Sequence, residues 1–166
     1  VHEIAKACVD MGKVKTGALI VVAQNDPLME YERTGIAVDG IVTSQLLINI
    51  FEHNTPLHDG AVIVRGDRIT SATCYLPLSD NMSLSKELGT RHRAAVGVSE
   101  ATDSVTLVVS EETGRVSVAV SGRLKSVKDG DELRDILSVL VKRETENTGR
   151  VRIWKGRRRN ERKADE

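Results

Sequence analysis

Apolar residues recur along this chain in two rhythms, and the switches between them outline the fold. Ile4, Ala5, Cys8, Val9 and Met11 fall at near-helical spacing and stop at Gly12, which predicts a first helix ending there. Residues 17–23 form a short apolar run, long enough for a strand buried on both faces. Residues 25–40 are rich in Asp, Pro, Gly and charge and read as loop, with an edge strand at Ile36 to Val38. Thr43-Ser44 can cap a helix that carries Leu46, Leu47, Ile50 and Phe51 on one side. A strand from Ala61 to Val64 turns at Gly66-Asp67 into a second at Ile69 to Tyr75, a hairpin pattern. After a polar loop from Pro77 to Ser85, a helix is expected from about Thr90 to Ala101. Strands at Val105 to Val109 and Val116 to Val120 follow, joined by a turn at residues 111–114. A last amphipathic helix begins at Asp129 or Asp131 and turns Leu133, Ile136, Leu137 and Leu140 inward.

Hairpins and helical crossovers alternate in this order. They predict an α/β fold with mixed α+β character: a central mixed parallel and antiparallel sheet flanked by helices. At 166 residues one domain is expected, spanning 1–149 and followed by a tail at 150–166. The formal charge of zero hides an asymmetry. Residues 150–166 carry eight Lys/Arg against three Asp/Glu, while the remaining 16 basic and 21 acidic residues leave the body at −5. That tail lacks interleaved aromatics, so a solvated tail is expected and nucleic acid is not expected as a partner.

Aromatics are scarce: Tyr31, Phe51, Tyr75 and Trp154 are all there are, which excludes a stacking platform for several bases. Cys8 and Cys74 have neither zinc spacing nor a disulfide framework, and a reducing compartment fits them. The sequence has neither an eighteen-residue apolar run nor a signal-peptide pattern. It begins with Val1 inside a helical pattern, so a soluble fragment of a longer protein is expected.

Chemistry gathers in three short segments. In Leu57-His58-Asp59-Gly60-Ala61, a carboxylate and an imidazole stand where a loop enters an apolar strand. Asp59 can orient a hydroxyl, accept its proton or hold a divalent cation, and Gly60 lets a ligand approach the backbone. Asp-Gly is also an ordinary turn dipeptide, so this segment alone leaves both readings open. In Gly89-Thr90-Arg91-His92-Arg93, Thr90 can serve as the N-cap of a helix whose free N–H groups and dipole favour an anion. Arg91 and Arg93 add planar cationic forks suited to phosphate oxygens. Successive helical residues do not share a face, so one arginine can instead pair with a carboxylate and brace the helix. In Ser110-Glu111-Glu112-Thr113-Gly114, Ser110 can donate to a phosphate and Glu112 can share a metal with His58. Acidic hairpin turns are usually only solvated.

His-Asp-Gly-Ala, then Gly-Thr-Arg-His-Arg-Ala-Ala about thirty residues on, then Ser-Glu-Glu-Thr-Gly, resembles the diadenylate cyclase domain, most of all its membrane-anchored bacterial type. The likeness runs from about Ile4 to Leu140 and implies a mixed sheet surrounded by helices. It implies an enzyme that condenses two ATP into cyclic di-AMP and two pyrophosphates with Mg²⁺ or Mn²⁺. By the same resemblance, Asp59 would engage the ribose 3′-hydroxyl, with Arg91 and His92 as its catalytic partners. Gly60, Ala61, Tyr75 and Leu76 would form the adenine side. Thr90, Arg91, His92 and Ser110 would line the triphosphate, Gly89 and Glu111 would join them in binding substrate, Arg93 would be either a support or a phosphate contact, and His58 and Glu112 would be metal ligands. Each site would hold one ATP, so a homodimer or higher homo-oligomer with facing motif surfaces is implied. The parent protein would sit at the cytoplasmic face of the cell membrane. A sensor that binds ATP or cyclic di-AMP without turnover is the alternative, against which the retained Asp59 argues.

Overall fold

The computed structural model of the protein describes residues 1–86 and 88–140. Its elements, in chain order, are α1 (His2–Lys13), β1 (Ala18–Val22), α2 (Met29–Glu32), β2 (Ile36–Ile41), α3 (Ser44–Phe51), β3 (Ala61–Arg65), β4 (Arg68–Cys74), α4 (Thr90–Ala101), β5 (Val105–Val109), β6 (Val116–Val120) and β7 (Arg123–Ser126). A last helix occupies residues 130–140.

The strands form one sheet in the order β2-β4-β3-β1-β5-β6-β7. β1 and β3 run parallel, with Ile20 opposite Val62, and every other neighbouring pair is antiparallel. The central strands β1 and β5 are buried at every position and β3 at all but its last, so their sequences are continuous apolar runs rather than alternating ones. Their two faces meet different partners. Ile20, Val62 and Leu107 pack beneath Met11 of α1, Leu47 and Phe51 of α3, and Leu133 and Leu137 of the last helix. Leu19, Val21, Ile63 and Val108 face Ala94, Ala95 and Val98 of α4. Small residues on α4 let that helix lie close to the sheet. The expected mixed sheet flanked by helices is the one observed.

Several elements differ from expectation. α1 runs through Gly12 to Lys13. β2 extends past Val38 to Ile41 as an edge strand, bent by a register shift between Ala37 and Gly40. α2 forms within a stretch expected to be loop; its Glu32 accepts a hydrogen bond from Thr70 and pairs with Arg65 at 3.2 Å, a tertiary anchor with no local sequence signature. β7 was not expected at all. Ser121 and Gly122 both take positive φ, 51° and 78°, as a two-residue hairpin turn requires, and the chain folds back so that Arg123 pairs with Val120. The Thr43 cap does form, accepting the Leu46 N–H at 3.1 Å. Among the described residues no helix is long and apolar enough to cross a membrane. The basic stretch from Arg150 lies outside the described residues.

Candidate active site

The antiparallel pairing of β1 with β5 sets Ala18 opposite Val109, and the parallel pairing of β1 with β3 brings the start of β3 to the same end of the sheet. At that end the chain opens a cleft of about 1160 Å³. Its walls come from the loop before β3 (Asp59, Gly60), the end of β4 and beyond (Thr73 to Leu76), the start of α4 (Gly89 to His92) and the β5–β6 turn (Ser110 to Thr113). Segments more than fifty residues apart thus share one cavity.

Gly60 has φ 79°, the left-handed region in which a side chain is strained, and it accepts the direction the chain needs to enter β3. A Cβ at Gly60 would lie 2.9 Å from the Cys74 carbonyl oxygen and 2.9 Å from the Thr73 carbonyl carbon, so β3 and β4 meet there without space to spare. Thr73 itself has φ 54°, unusual for a β-branched residue, at the bulge where Ala61 pairs with Cys74 but Ile63 with Ser71. Asp59 is exposed and lines the cleft, and its Oδ1 accepts the Gly60 N–H at 3.0 Å.

The N-cap of α4 is Gly89, with extended backbone, whose carbonyl accepts the Arg93 N–H; Thr90 is the first helical residue. This corrects the expected Thr90 cap, because only the residue before the first helical φ/ψ can cap. No side chain caps this end, and Gly89 and Thr90 line the cleft, where uncapped helical N–H groups can receive an anion. Arg91 and His92 line the cleft and Arg93 does not, as expected for consecutive residues on a helix. The Arg91 guanidinium lies against the Gly17 backbone and pairs with Glu111, Nη1 to Oε2 at 3.4 Å. One arginine is thus partnered by a carboxylate, one of the two roles left open for it. His92 is half buried, and burial, then the neighbouring Arg91 charge, lowers its pKa below the ordinary imidazole value; Glu112 opposes the shift. Ser110 Oγ accepts the N–H groups of Glu112 and Thr113, both at 3.3 Å, which folds the turn and keeps its own proton as a donor.

Not every expected site residue reaches the cleft. Ala61 is fully buried beneath it, and Arg93 gives its carbonyl to the Ser79 N–H at 3.0 Å. His58 does not line it; the Nδ1 of His58 faces the Thr55 carbonyl at 2.6 Å, and its ring meets His53 edge to face at 5.7 Å. Glu112 does line the cleft, so the structure does not bring the two expected metal ligands together there. Tyr75 is 76% exposed at the cleft mouth and offers a bare ring face. Thr34, Thr73 and Cys74 also line the cleft without belonging to any motif: strand pairing brings Thr73 and Cys74 there, and Thr34 reaches it from the turn between α2 and β2. The Cys74 thiol is pushed up to about 11, by burial first and then by Glu32.

Together, an uncapped helix start, a cationic fork, a carboxylate and an aromatic face line one cleft of an α/β domain, with room for a nucleotide. Residues 5–124 match the family described as DisA bacterial checkpoint controller nucleotide-binding, the DAC family, and the chain belongs to it. It is 48% identical over 159 residues to the cyclic di-AMP synthase CdaA of Bacillus subtilis, covering 95% of this chain and 58% of that protein. It is 55% identical over 137 residues to a diadenylate cyclase of Listeria monocytogenes, covering 82% and 50%. Among solved structures, a double mutant of DacA from Staphylococcus aureus superposes with a TM-score of 0.80 at 47% identity, covering 82% of this chain and 91% of that one. A hypothetical membrane spanning protein from Bacillus cereus gives 0.74 at 46%, covering 76% and 62%. The chain spans about half the length of the curated relatives it matches.

Proposed function

We propose that this chain is the catalytic part of a diadenylate cyclase, joining two ATP into cyclic di-AMP and releasing two pyrophosphates. The observation that carries the proposal is one cleft holding both Asp59 and the Arg91-His92 start of α4. Family membership and the names of the relatives support it.

In this reading the triphosphate lies on the uncapped N-terminus of α4, with Arg91, Thr90 and the Ser110 hydroxyl supplying donors. The adenine rests against Tyr75 and the Leu76 backbone. The ribose then reaches Asp59, which orients the 3′-hydroxyl and takes its proton as the oxygen attacks the α-phosphorus of the other ATP. Pyrophosphate leaves opposite the attacking oxygen, and a second such step closes the ring. The protein's contribution is positioning and charge neutralisation. A half-buried, uncharged His92 donates or accepts a hydrogen bond without adding a further cation to the cluster.

The carboxylates of Asp59 and Glu112 are hard oxygen donors, the chemistry Mg²⁺ or Mn²⁺ takes. Among the described residues no group of three or more His, Cys, Asp or Glu forms an all-protein metal site. An ion here would be held by one or two carboxylates together with substrate phosphates. Such an ion, when bound, offsets the negative charge of the phosphates.

One cleft accommodates one reacting ATP, so two copies must face each other, cleft to cleft. We place the parent protein at the membrane, a reading that the name of the Bacillus cereus neighbour, a hypothetical membrane spanning protein, supports. The test is incubation with ATP and Mn²⁺, followed by chromatography for the cyclic product. Asp59→Asn should keep ATP binding and abolish turnover, and retained turnover removes Asp59 from its role. Activity per chain should rise with protein concentration; a monomeric sample with activity independent of dilution refutes the facing pair.

A further inference from the structure

Thr34 belongs to none of the motifs, yet it is wired to the segment that carries the aromatic face. Its Oγ1 donates to the Tyr31 carbonyl at 2.6 Å and accepts the Tyr75 N–H at 2.8 Å. A hydroxyl engaged in both directions has a fixed rotor. Tyr75 lies one residue beyond β4, and the pairing of β2 with β4 ends at Ile36 opposite Ala72. The Thr34 side chain therefore takes the place of a ladder carbonyl that β2 no longer supplies.

Two glycines make this contact tight. A Cβ at Gly35 would lie 2.3 Å from the Ala72 carbonyl oxygen and 2.6 Å from the Cys74 sulfur, so a side chain there would lift Thr34 away. From the other flank Gly60 presses on Thr73 and Cys74. The strained Thr73 backbone is thus held from both neighbouring strands, and Thr34 closes the clamp at Tyr75.

We propose that Thr34 is a positioning residue for nucleobase recognition: it fixes the Tyr75–Leu76 backbone against which the base is read. This rests on the reading that Tyr75 and Leu76 receive the adenine. Thr34 is itself exposed and lines the cleft. Before a base binds, water can replace its hydroxyl at the Tyr75 N–H; once a base covers the site, water is shut out and the N–H has no substitute. The cost of losing the hydroxyl therefore falls on base binding and not on folding.

The experiment compares the parent chain with Thr34→Val, which keeps the shape, and Thr34→Ser, which keeps the hydroxyl. The probes are α,β-methylene ATP, which cannot release pyrophosphate, the matching guanosine analogue, and inorganic tripolyphosphate. Thr34→Val should weaken the adenosine analogue by about three- to tenfold, the worth of one hydrogen bond. Tripolyphosphate affinity and melting temperature should not move, while the Tyr75 amide exchanges faster. Thr34→Ser should restore parental binding. Unchanged affinity of Thr34→Val for the adenosine analogue overturns the proposal, and so does an equal loss for tripolyphosphate. A parent chain that binds all three probes alike overturns the adenine pocket itself, and the Thr34 role with it. A base-selective parent with an indifferent Thr34→Val overturns the Thr34 role alone.

Discussion

Replacing Gly97 by alanine sets two known effects against each other at the contact that joins the two halves of the cleft. Gly97 sits in the middle of α4, where alanine is worth about 1 kcal/mol more than glycine in helix propensity. Yet a Cβ there would lie 1.9 Å from the Pro77 carbonyl oxygen, 2.7 Å from its carbon and 3.0 Å from the Ser79 nitrogen. All three are backbone atoms, so no side chain can rotate away; the loop after Leu76 must lift by about 1.5 Å to reach ordinary contact at 3.4 Å. Lifting it breaks the Ser79 N–H bond to the Arg93 carbonyl and strains the 2.7 Å bond from the Ser79 hydroxyl to Glu100. Overpacking costs about 1–3 kcal/mol and each bond about 1 kcal/mol, so the net loss after the propensity gain is about 2–4 kcal/mol. For a chain of this size that lowers the melting temperature by roughly 5–15 °C. Urea and thermal denaturation of Gly97→Ala measure it directly. A variant as stable as its parent, or more so, refutes the claim that the loop is seated on α4.

Arg91→Ala should weaken triphosphate binding in calorimetry, and unchanged affinity moves the phosphate site elsewhere. Glu111→Gln should tighten it, by up to roughly fivefold because the exposed pair is worth less than about 1 kcal/mol, with the gain shrinking in high salt. A loss of affinity instead makes Glu111 a direct contributor to binding. His92 supplies a pH signature. Its pKa is lowered by burial and Arg91, so between that value and about 6.5 the unfolded chain binds more protons. Stability therefore falls as pH drops through that window and levels off below it, and His92→Gln should flatten the slope of denaturation midpoints. An identical slope in the variant assigns the pH dependence to other groups.

The elements that stood out in the sequence are those whose two faces, or one stripe, meet the core. β1, β3 and β5 are buried on both sides and read as unbroken apolar runs, while Leu133 and Leu137 mark the last helix by period alone. β7 escaped notice because Arg123, Lys125 and Ser126 are exposed; its reason to be a strand is the edge of β6, not its own composition. α2 is four residues long, and Glu32 ties it to Thr70 and Arg65 from a distance of over thirty positions. No local pattern records that tie.

The site divides along the same line. Residues within one motif were found because the chemistry lies in their types: a carboxylate beside glycine, guanidiniums at a helix start. Their orientation was not legible, since sharing a segment does not fix a direction. His58 precedes Asp59, yet its ring turns back to Thr55 while Asp59 overlooks the cleft. What set the two motifs in one cavity was the register of the sheet, β5 antiparallel and β3 parallel to the same β1. A one-residue slip of β5 against β1 would carry Ser110, Glu111 and Glu112 along the strand axis by about 3.4 Å and turn alternate side chains to the other face. Glu111 would then lose Arg91. The constellation lining the cleft is therefore encoded less in its own residues than in the apolar run from Ala18 to Val22, which fixes that register by burying both faces at once.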